Sequence, residues 1–452
     1  MPSAAEPQPS RNISRKDAKA AKVGEKWQKK LPRLFICSFR TWRAWRLGAS
    51  QFPRPSSTGH RKIVSMGFAE WRIESMKFVM GLFLLVCQLI GPARLVLAAD
   101  SKSPWQSEWD QTVRAAEQEG EVMVSIGGYG AIIDSGVFQK TYPKIKITHI
   151  TGAGTDLTQR ISAERRAGKY LVDVYNGGGN SLFQVLYQGK MLDPIKSALI
   201  LPEVTDATKW WEGKQKYADK EGQYIFVYEG NVSAGAGAAY NTQLLDPREY
   251  KSYWDLLNPR LKGKILSTDI RKVRGAGIPW QFLYYYSELG PKYLRRLFGE
   301  MDVTLTADLR QAVDWLGTGK FAVGMPIQGG TVYKAKNQGL PVDEFSPYHF
   351  KEGVNLSSAF GSLALMNRAP HPNAAKVFIN WLLSREGQTL FQKVISQPGD
   401  PRNSRRIDVP KDHIPPDEQR RDKMNYFDTD DPDTKDLNPA MKLLDEILAG
   451  KK

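Results

Sequence analysis

Residues 121–180 read EVMVSIGGYGAIIDSGVFQKTYPKIKITHITGAGTDLTQRISAERRAGKYLVDVYNGGGN, and the order of apolar runs and glycines in them decides the fold. The run 122–126 predicts a strand, 144–150 a second extended segment and 171–175 a third. Between them Ile132, Ile133, Val137 and Phe138, then Leu157 and Ile161, repeat at helical spacing. Thr155 stands where it would cap the later helix, and Gly168 where that helix would end. Strands alternating with helices predict a parallel sheet covered on both faces, because a parallel pair needs a long crossover. Ligands of such sheets sit beyond the carboxyl ends of the strands. Here those ends are three glycine-rich loops: Gly127-Gly128-Tyr129, Gly152-Ala153-Gly154-Thr155 and Asn176-Gly177-Gly178-Gly179-Asn180. Glycines let backbone approach a guest, and the helix amides behind Thr155 suit negative charge, so an anion or metal–anion complex is the expected ligand. The plainer alternative is that the glycines only make tight turns.

The pattern continues on both sides. Trp105, Trp109, Val113 and Ala116 share one helical face, with Gly120 as the stop. A second α/β lobe is expected from Ala238-Ala239-Tyr240-Asn241 onward, with a strand at 264–267 and helices at 291–298 and 309–316. From Ser358 the chain enters an apolar strand at 363–366, then a helix whose core stripe is Ala374, Val377, Phe378, Trp381 and Leu382. Beyond Gln397 the sequence is rich in proline and charge, with one last helix at 441–448. Asp428, Asp430, Asp431 and Asp433 lack the glycine and distal glutamate of a calcium loop and read as solvated tail. The resulting division is 100–237 for the first part of lobe 1, 238–345 for lobe 2, and 346–452 for the return to lobe 1 and the tail.

The formal net charge of +16 does not describe the body of the chain. Residues 1–75 hold sixteen Lys/Arg against five Asp/Glu, whereas forty-six basic residues face forty-three acidic ones from Asp100 onward. A nearly neutral body without basic–aromatic runs or groove-reading motifs argues against nucleic acid as a partner. The two cysteines, Cys37 and Cys87, both precede Asp100, so the body forms no disulfide and no thiolate metal site. From Met76 the chain reads Met-Lys, an apolar stretch over 78–90 and Val96-Leu97-Ala98-Ala99-Asp100, the pattern of a secretory signal peptide cleaved after Ala98 or Ala99. Arg94 and Pro92 disfavour the alternative of an uncleaved anchor over 78–99. Residues 1–75 are expected to be disordered or to precede the true start at Met76 or Met66.

The stretch Ala369-Pro370-His371-Pro372-Asn373-Ala374-Ala375, followed by Trp381-Leu382-Leu383-Ser384 and Glu386-Gly387-Gln388, resembles extracellular solute-binding proteins of the ferric-iron-uptake type. Glu164-Arg165-Arg166-Ala167-Gly168 with Asp173-Val174, Tyr240-Asn241-Thr242, Trp254-Asp255-Leu256-Leu257 and Ser404-Arg405-Arg406-Ile407-Asp408 extend the resemblance over 104–410 in one order. It implies an α/β, two-lobed type II periplasmic-binding-protein fold, each lobe a mostly parallel sheet flanked by helices, with a ligand cleft between lobes. It also implies a periplasmic, monomeric, non-enzymatic receptor that delivers a small solute to an ABC permease and ATPase. A ligand-binding partner of a periplasmic sensor, or an enzyme using the same cleft, is the alternative.

Ferric-binding members hold iron with a histidine, a glutamate and an adjacent tyrosine pair, and this sequence departs from that set. The first loop has Tyr129 and no histidine, the third has Asn176-Gly177-Gly178 and no glutamate, and Gln328-Gly329-Gly330 stands where the tyrosine pair belongs. A bare ferric ion needs several anionic oxygens, so its direct coordination is not expected, and no metal or cofactor is assigned. The expected ligand-binding residues are Gly128, Tyr129, Gly154, Thr155, Asn176, Gly177, Gly178, Arg274, Gln328 and Gly329, with Arg274 as charge partner. Tyr284-Tyr285-Tyr286 reads as packed helix. Hydrolase elbows, zinc-protease helices and phosphate loops are absent from the sequence, and the histidines of the body read as structural.

Overall fold

The computed structural model describes residues 103–272, 277–327 and 329–451. The expectations for 1–75 and 76–99, and those for Arg274 and Gln328, lie outside the described residues. In the first lobe α1 (Pro104–Glu119) starts where Gln106 Oε1 accepts from the Ser103 amide at 2.9 Å and ends at Gly120, whose φ of 78° is the left-handed conformation that closes helices. β1 (Glu121–Ile126) follows at once and runs parallel to both its neighbours, β2 (Lys146–Thr151) and β3 (Val174–Gly177). The crossover between these two is α2 (Gly154–Arg166). Side chains alternate across β1: Val122, Val124 and Ile126 join Ala116 of α1 in one core, while Met123 packs with Leu157 and Ile161 of α2 on the other face.

β3 begins later than the 171–175 expected. Ahead of it the buried Asp173 carboxylate accepts from the Met123 amide at 2.8 Å, the His371 amide at 2.7 Å and His371 Nδ1 at 3.0 Å, which pins the chain before the strand starts. Asn176 and Gly177 are therefore strand residues, not loop residues.

β4 (Asn231–Ala234) carries the chain out of the first lobe. The second lobe contains β5 (Ala239–Asn241), β6 (Ile265–Thr268), α3 (Gly277–Tyr285), α4 (Gly290–Glu300), β7 (Thr304–Thr306), α5 (Leu309–Gly317), β8 (Val323–Gly324), α6 (Gly329–Asn337) and β9 (Val342–Glu344), with sheet order β7-β6-β8-β5-β9. β10 (Val354–Ser357) returns antiparallel to β4, pairing Val354 with Ala234 and Ser357 with Asn231. It leads into β11 (Ser362–Met366), α7 (Pro372–Leu383) and α8 (Arg385–Ile395) of the first lobe.

Among the described residues the sheet of each lobe is parallel over three strands and antiparallel beyond them, where mostly parallel sheets were expected. β11 shows why: it enters straight from the interlobe strand through residues 358–361, and without a crossover helix it runs against β3.

The tail differs from its expected role. β12 (Tyr426–Asp428) adds to β10 in parallel register, so the lobes are bridged by a three-stranded ribbon. α9 (Asn438–Ala449) then packs on α4 of the second lobe, burying Leu443, Leu444 and Ile447 beside Leu294, Leu297 and Phe298. Of the residues 346–452 expected to return to the first lobe and form a tail, 362–395 pack in the first lobe and α9 packs on the second. The reading of the aspartates as solvated is corrected for Asp430, which is 2% exposed and paired with the equally buried Lys435 at 3.1 Å, whereas Asp433 is exposed. Proline and charge are surface signals only where no partner segment covers them.

Candidate functional site

The carboxyl ends of β1 and β3 and the loop between β10 and β11 meet at one place. A Cβ on Gly127 would lie 3.6 Å from the Gly177 backbone, 3.7 Å from the Gly152 carbonyl and 3.7 Å from the Phe360 ring. On Gly128, which has φ of +73°, it would lie 3.2 Å from that ring; on Gly178 it would lie 3.4 Å from the Ala359 carbonyl. Gly128 is thus needed for its left-handed backbone and its close approach to Phe360, whereas a Cβ at Gly127 or Gly178 would make only ordinary contacts. Gly154 allows a close approach to Ser181, whose hydroxyl would be 2.7 Å from an added Cβ. Phe360 itself is 38% exposed and sits edge-on to Tyr129 at 5.6 Å, so an aromatic side chain covers the ground expected for a ligand. The sequence reading passed over it. Its one signal is an aromatic placed between Ser357-Ser358-Ala359 and Gly361.

Two of the expected ligand side chains have other work, and a third does not cap the helix. Asn176 is 0% exposed; its amide donates to the Phe360 carbonyl at 3.0 Å and its oxygen accepts from the Tyr228 hydroxyl at 2.7 Å, so it holds the Phe360 loop in place. Tyr129 is 2% exposed and gives its hydroxyl to Glu229 at 2.7 Å. Thr155 does not cap α2: Ala153 is the N-cap, Thr155 is the second residue of the helix, and its side chain is exposed. Gly177 is buried, and a Cβ there would fall 2.7 Å from the Tyr175 hydroxyl, so it offers a ligand no surface.

Beneath Phe360 lies a buried charged network that the sequence did not announce. Glu229, 0% exposed, accepts from Tyr129 and from Asn231 Nδ2 at 2.6 Å, and Arg402 Nη1 approaches it at 3.6 Å. Arg402 also pairs with Asp400 and lies over the Tyr129 ring at 5.7 Å. Burial, opposed by the Arg402 charge, pushes the Glu229 carboxyl up to about 7. Gly361 is required beside it, since any side chain would strike Glu229.

Across the gap, α6 begins at Gly329. One turn on, Tyr333 packs against Gly399 of the first lobe so closely that a Cβ at Gly399 would collide with its ring. Glu344 stands exposed at the end of β9. Desolvation first, then the charges of Glu418, Asp343 and Asp400, raise its carboxyl to about 7. Glu418 is raised to about 7 as well, by desolvation and then Asp417 and Asp400.

The tyrosine run packs as expected: Tyr286 stacks on Phe282 at 4.8 Å, and Tyr285 gives its hydroxyl to the Asp436 carbonyl. Among the described residues no three His, Cys, Asp or Glu side chains are placed to hold a metal ion. Two surface grooves, about 310 Å³ beside Tyr250, Trp254 and Arg296 and about 280 Å³ beside Trp210, Trp211 and Met424, include none of the glycine-loop residues.

Residues 115–389 match the family model described as bacterial extracellular solute-binding protein. Solved structures share the fold. The Trichodesmium IdiA (FutA) protein in complex with iron and citrate has a TM-score of 0.55 at 18% identity, over 73% of this chain and 99% of that one. The periplasmic binding protein AfuA from Actinobacillus pleuropneumoniae, with fructose-6-phosphate bound, gives 0.51 at 18%, over 73% and 98%. FutA2 from Synechocystis without ligand gives 0.52 at 14%, over 73% and 98%. No curated protein matches by sequence. The two α/β lobes, the strands that join them and the match over most of the body give the type II periplasmic-binding architecture, and the chain belongs to the bacterial extracellular solute-binding protein family.

Proposed function

We propose that this chain captures a small polar solute between its lobes in the periplasm and, as a monomer, hands it to the permease and ATPase of an ABC importer without altering it chemically. The observation that carries the reading is the convergence of the β1 and β3 loops with Phe360 on one lobe, together with Tyr333 of α6 on the other reaching Gly399 of the first. A solute touching both surfaces stabilises the closed arrangement by its extra contacts, and the closed form is what a permease can distinguish. The side chains present favour a neutral or donor-rich organic solute over a bare anion. Phe360 covers Gly127 and Gly128, Arg402 is already paired, and the exposed Asp156 stands in the first turn of α2 where an anion would have to sit.

Two experiments test this. Native mass spectrometry of protein isolated from the periplasm should reveal a copurifying solute, which calorimetry should then show to bind the wild type and, at least tenfold more weakly, Phe360→Ala; a tenfold loss corresponds to about 1.4 kcal/mol. Titrations with ferric citrate, citrate and inorganic phosphate should show weak binding or none. Tight phosphate or ferric binding would overturn the solute class. Conversion of the copurified solute into product would overturn the receptor reading.

A further inference from the structure

Residues 429–437, between β12 and α9, are bonded to both lobes. On the first-lobe side the Asp430 carboxylate accepts from the Ser358 amide at 2.9 Å and its hydroxyl at 2.8 Å, and pairs with Lys435 Nζ at 3.1 Å. The Gln184 side-chain amide donates to the Lys435 carbonyl at 3.1 Å. Gly179, just past β3, lies against this pair: a Cβ there would stand 2.7 Å from Asp430 Oδ1 and 3.1 Å from Lys435 Nζ. On the second-lobe side Gln281 Nε2 donates to the Thr429 carbonyl at 2.9 Å and to Thr434 Oγ1 at 2.5 Å, and Tyr285 donates to the Asp436 carbonyl. The Leu437 side chain fills the space above Gly277, where an added Cβ would be 2.9 Å away. α9 then locks onto the second lobe through its buried leucines, with Glu446 on Arg295 at 3.1 Å and Asp445 on Arg271 at 2.7 Å.

A buried ion pair contributes little net stability, because desolvation consumes most of the Coulomb gain, yet separating it leaves uncompensated charges in the interior. The Asp430–Lys435 pair is covered only while Ser358, Gly179 and residues 429–437 stay together. Any opening of the lobes that carries α9 away with the second lobe must either uncover the pair or stretch Asp436 and Leu437, the two residues between Lys435 and α9. We propose that residues 429–449 form an interlobe strap, fastened on the first lobe by the Asp430–Lys435–Ser358 cluster and on the second by α9, which limits opening of the cleft and makes wide opening conditional on release of that cluster. Such a device gives the molecule discrete rather than continuous placements of its lobes.

The test is the distance between spin labels on exposed Lys169→Cys of the first lobe and Gln243→Cys of the second, in the full chain carrying Cys37→Ser and Cys87→Ser. Pulsed electron paramagnetic resonance should give a single narrow distribution. With Asp430→Asn and Lys435→Met together, the distribution should broaden and shift to longer distance; an unchanged distribution in a variant that still melts cooperatively overturns the strap. Should that pair of changes prevent folding, Gln184→Ala with Tyr285→Phe loosens the same segment from both lobes without touching a buried charge. Broadening there supports the proposal, and an unchanged distribution overturns it. Neither result depends on the identity of the solute.

Discussion

The Glu229 carboxyl is fully buried and raised to about 7 against an ordinary value of 4.5, so the folded chain binds more protons than the unfolded one between those limits. Its contribution to stability is therefore present below about pH 4.5 and lost as pH rises through 7, by about 3 kcal/mol if the whole shift is expressed. Lys411, lowered to about 6 by burial and then by Arg420, has the opposite sign: its contribution grows as pH rises from about 6 to 10.5. The effect of Glu229 is isolated by comparing Glu229→Gln with wild type in urea at pH 5 and pH 8. The variant should gain on wild type toward pH 8; a pH-independent difference would mean that the carboxyl is ionised throughout. The same scale separates Asn176 from Thr155. Asn176→Ala leaves the Tyr228 hydroxyl and the Phe360 carbonyl without these partners and should cost about 2 to 6 kcal/mol, counting about 1 to 3 for each group left unpaired. Thr155→Ala, at an exposed non-capping position, should stay within about 0.5 kcal/mol. Chemical denaturation of both variants checks the contrast.

At the scale of elements, α9 separates propensity from packing. Its helical stripe is legible in 441–448, and the structure extends it to Asn438–Ala449, but nothing in the stripe names the surface it covers. That surface is α4, and Leu444 is 1% exposed against it. Leu444→Ala should destabilise by about 2 to 5 kcal/mol, as buried leucine truncations do. Hydrogen exchange should place the lost protection in α4 and α9 rather than in α1 or α7. Loss confined to α9 would mean that the helix is a peripheral addition. The strands teach the complementary lesson. β1, β2 and the return strand β11 lie close to the runs that predicted them, because alternating or continuous apolar residues impose the same solution locally and globally. β3 is displaced toward Asn176 because Asp173 is held by bonds from Met123 and His371, residues far away in sequence.

For the whole molecule, the export reading predicts that the periplasmic protein begins at Ala99 or Asp100. N-terminal sequencing decides it, and a membrane-bound product retaining 78–99 would show an anchor instead. The sequence by itself determined the α/β class, the two lobes and the family resemblance, since these rest on periodicity, glycine placement and ordered motifs written along the chain. Only the tertiary structure decided what the glycine loops face, that Asn176 and Tyr129 serve the interior, and that Phe360, Glu229 and Arg402 meet beneath the gap. It alone also revealed that the charged tail becomes a third bridge between lobes. The physical reason is the same in each case. A side chain's role depends on which distant segment removes its water, and Asp430 reads as a solvated charge until Ser358, Gly179 and Lys435 are brought against it.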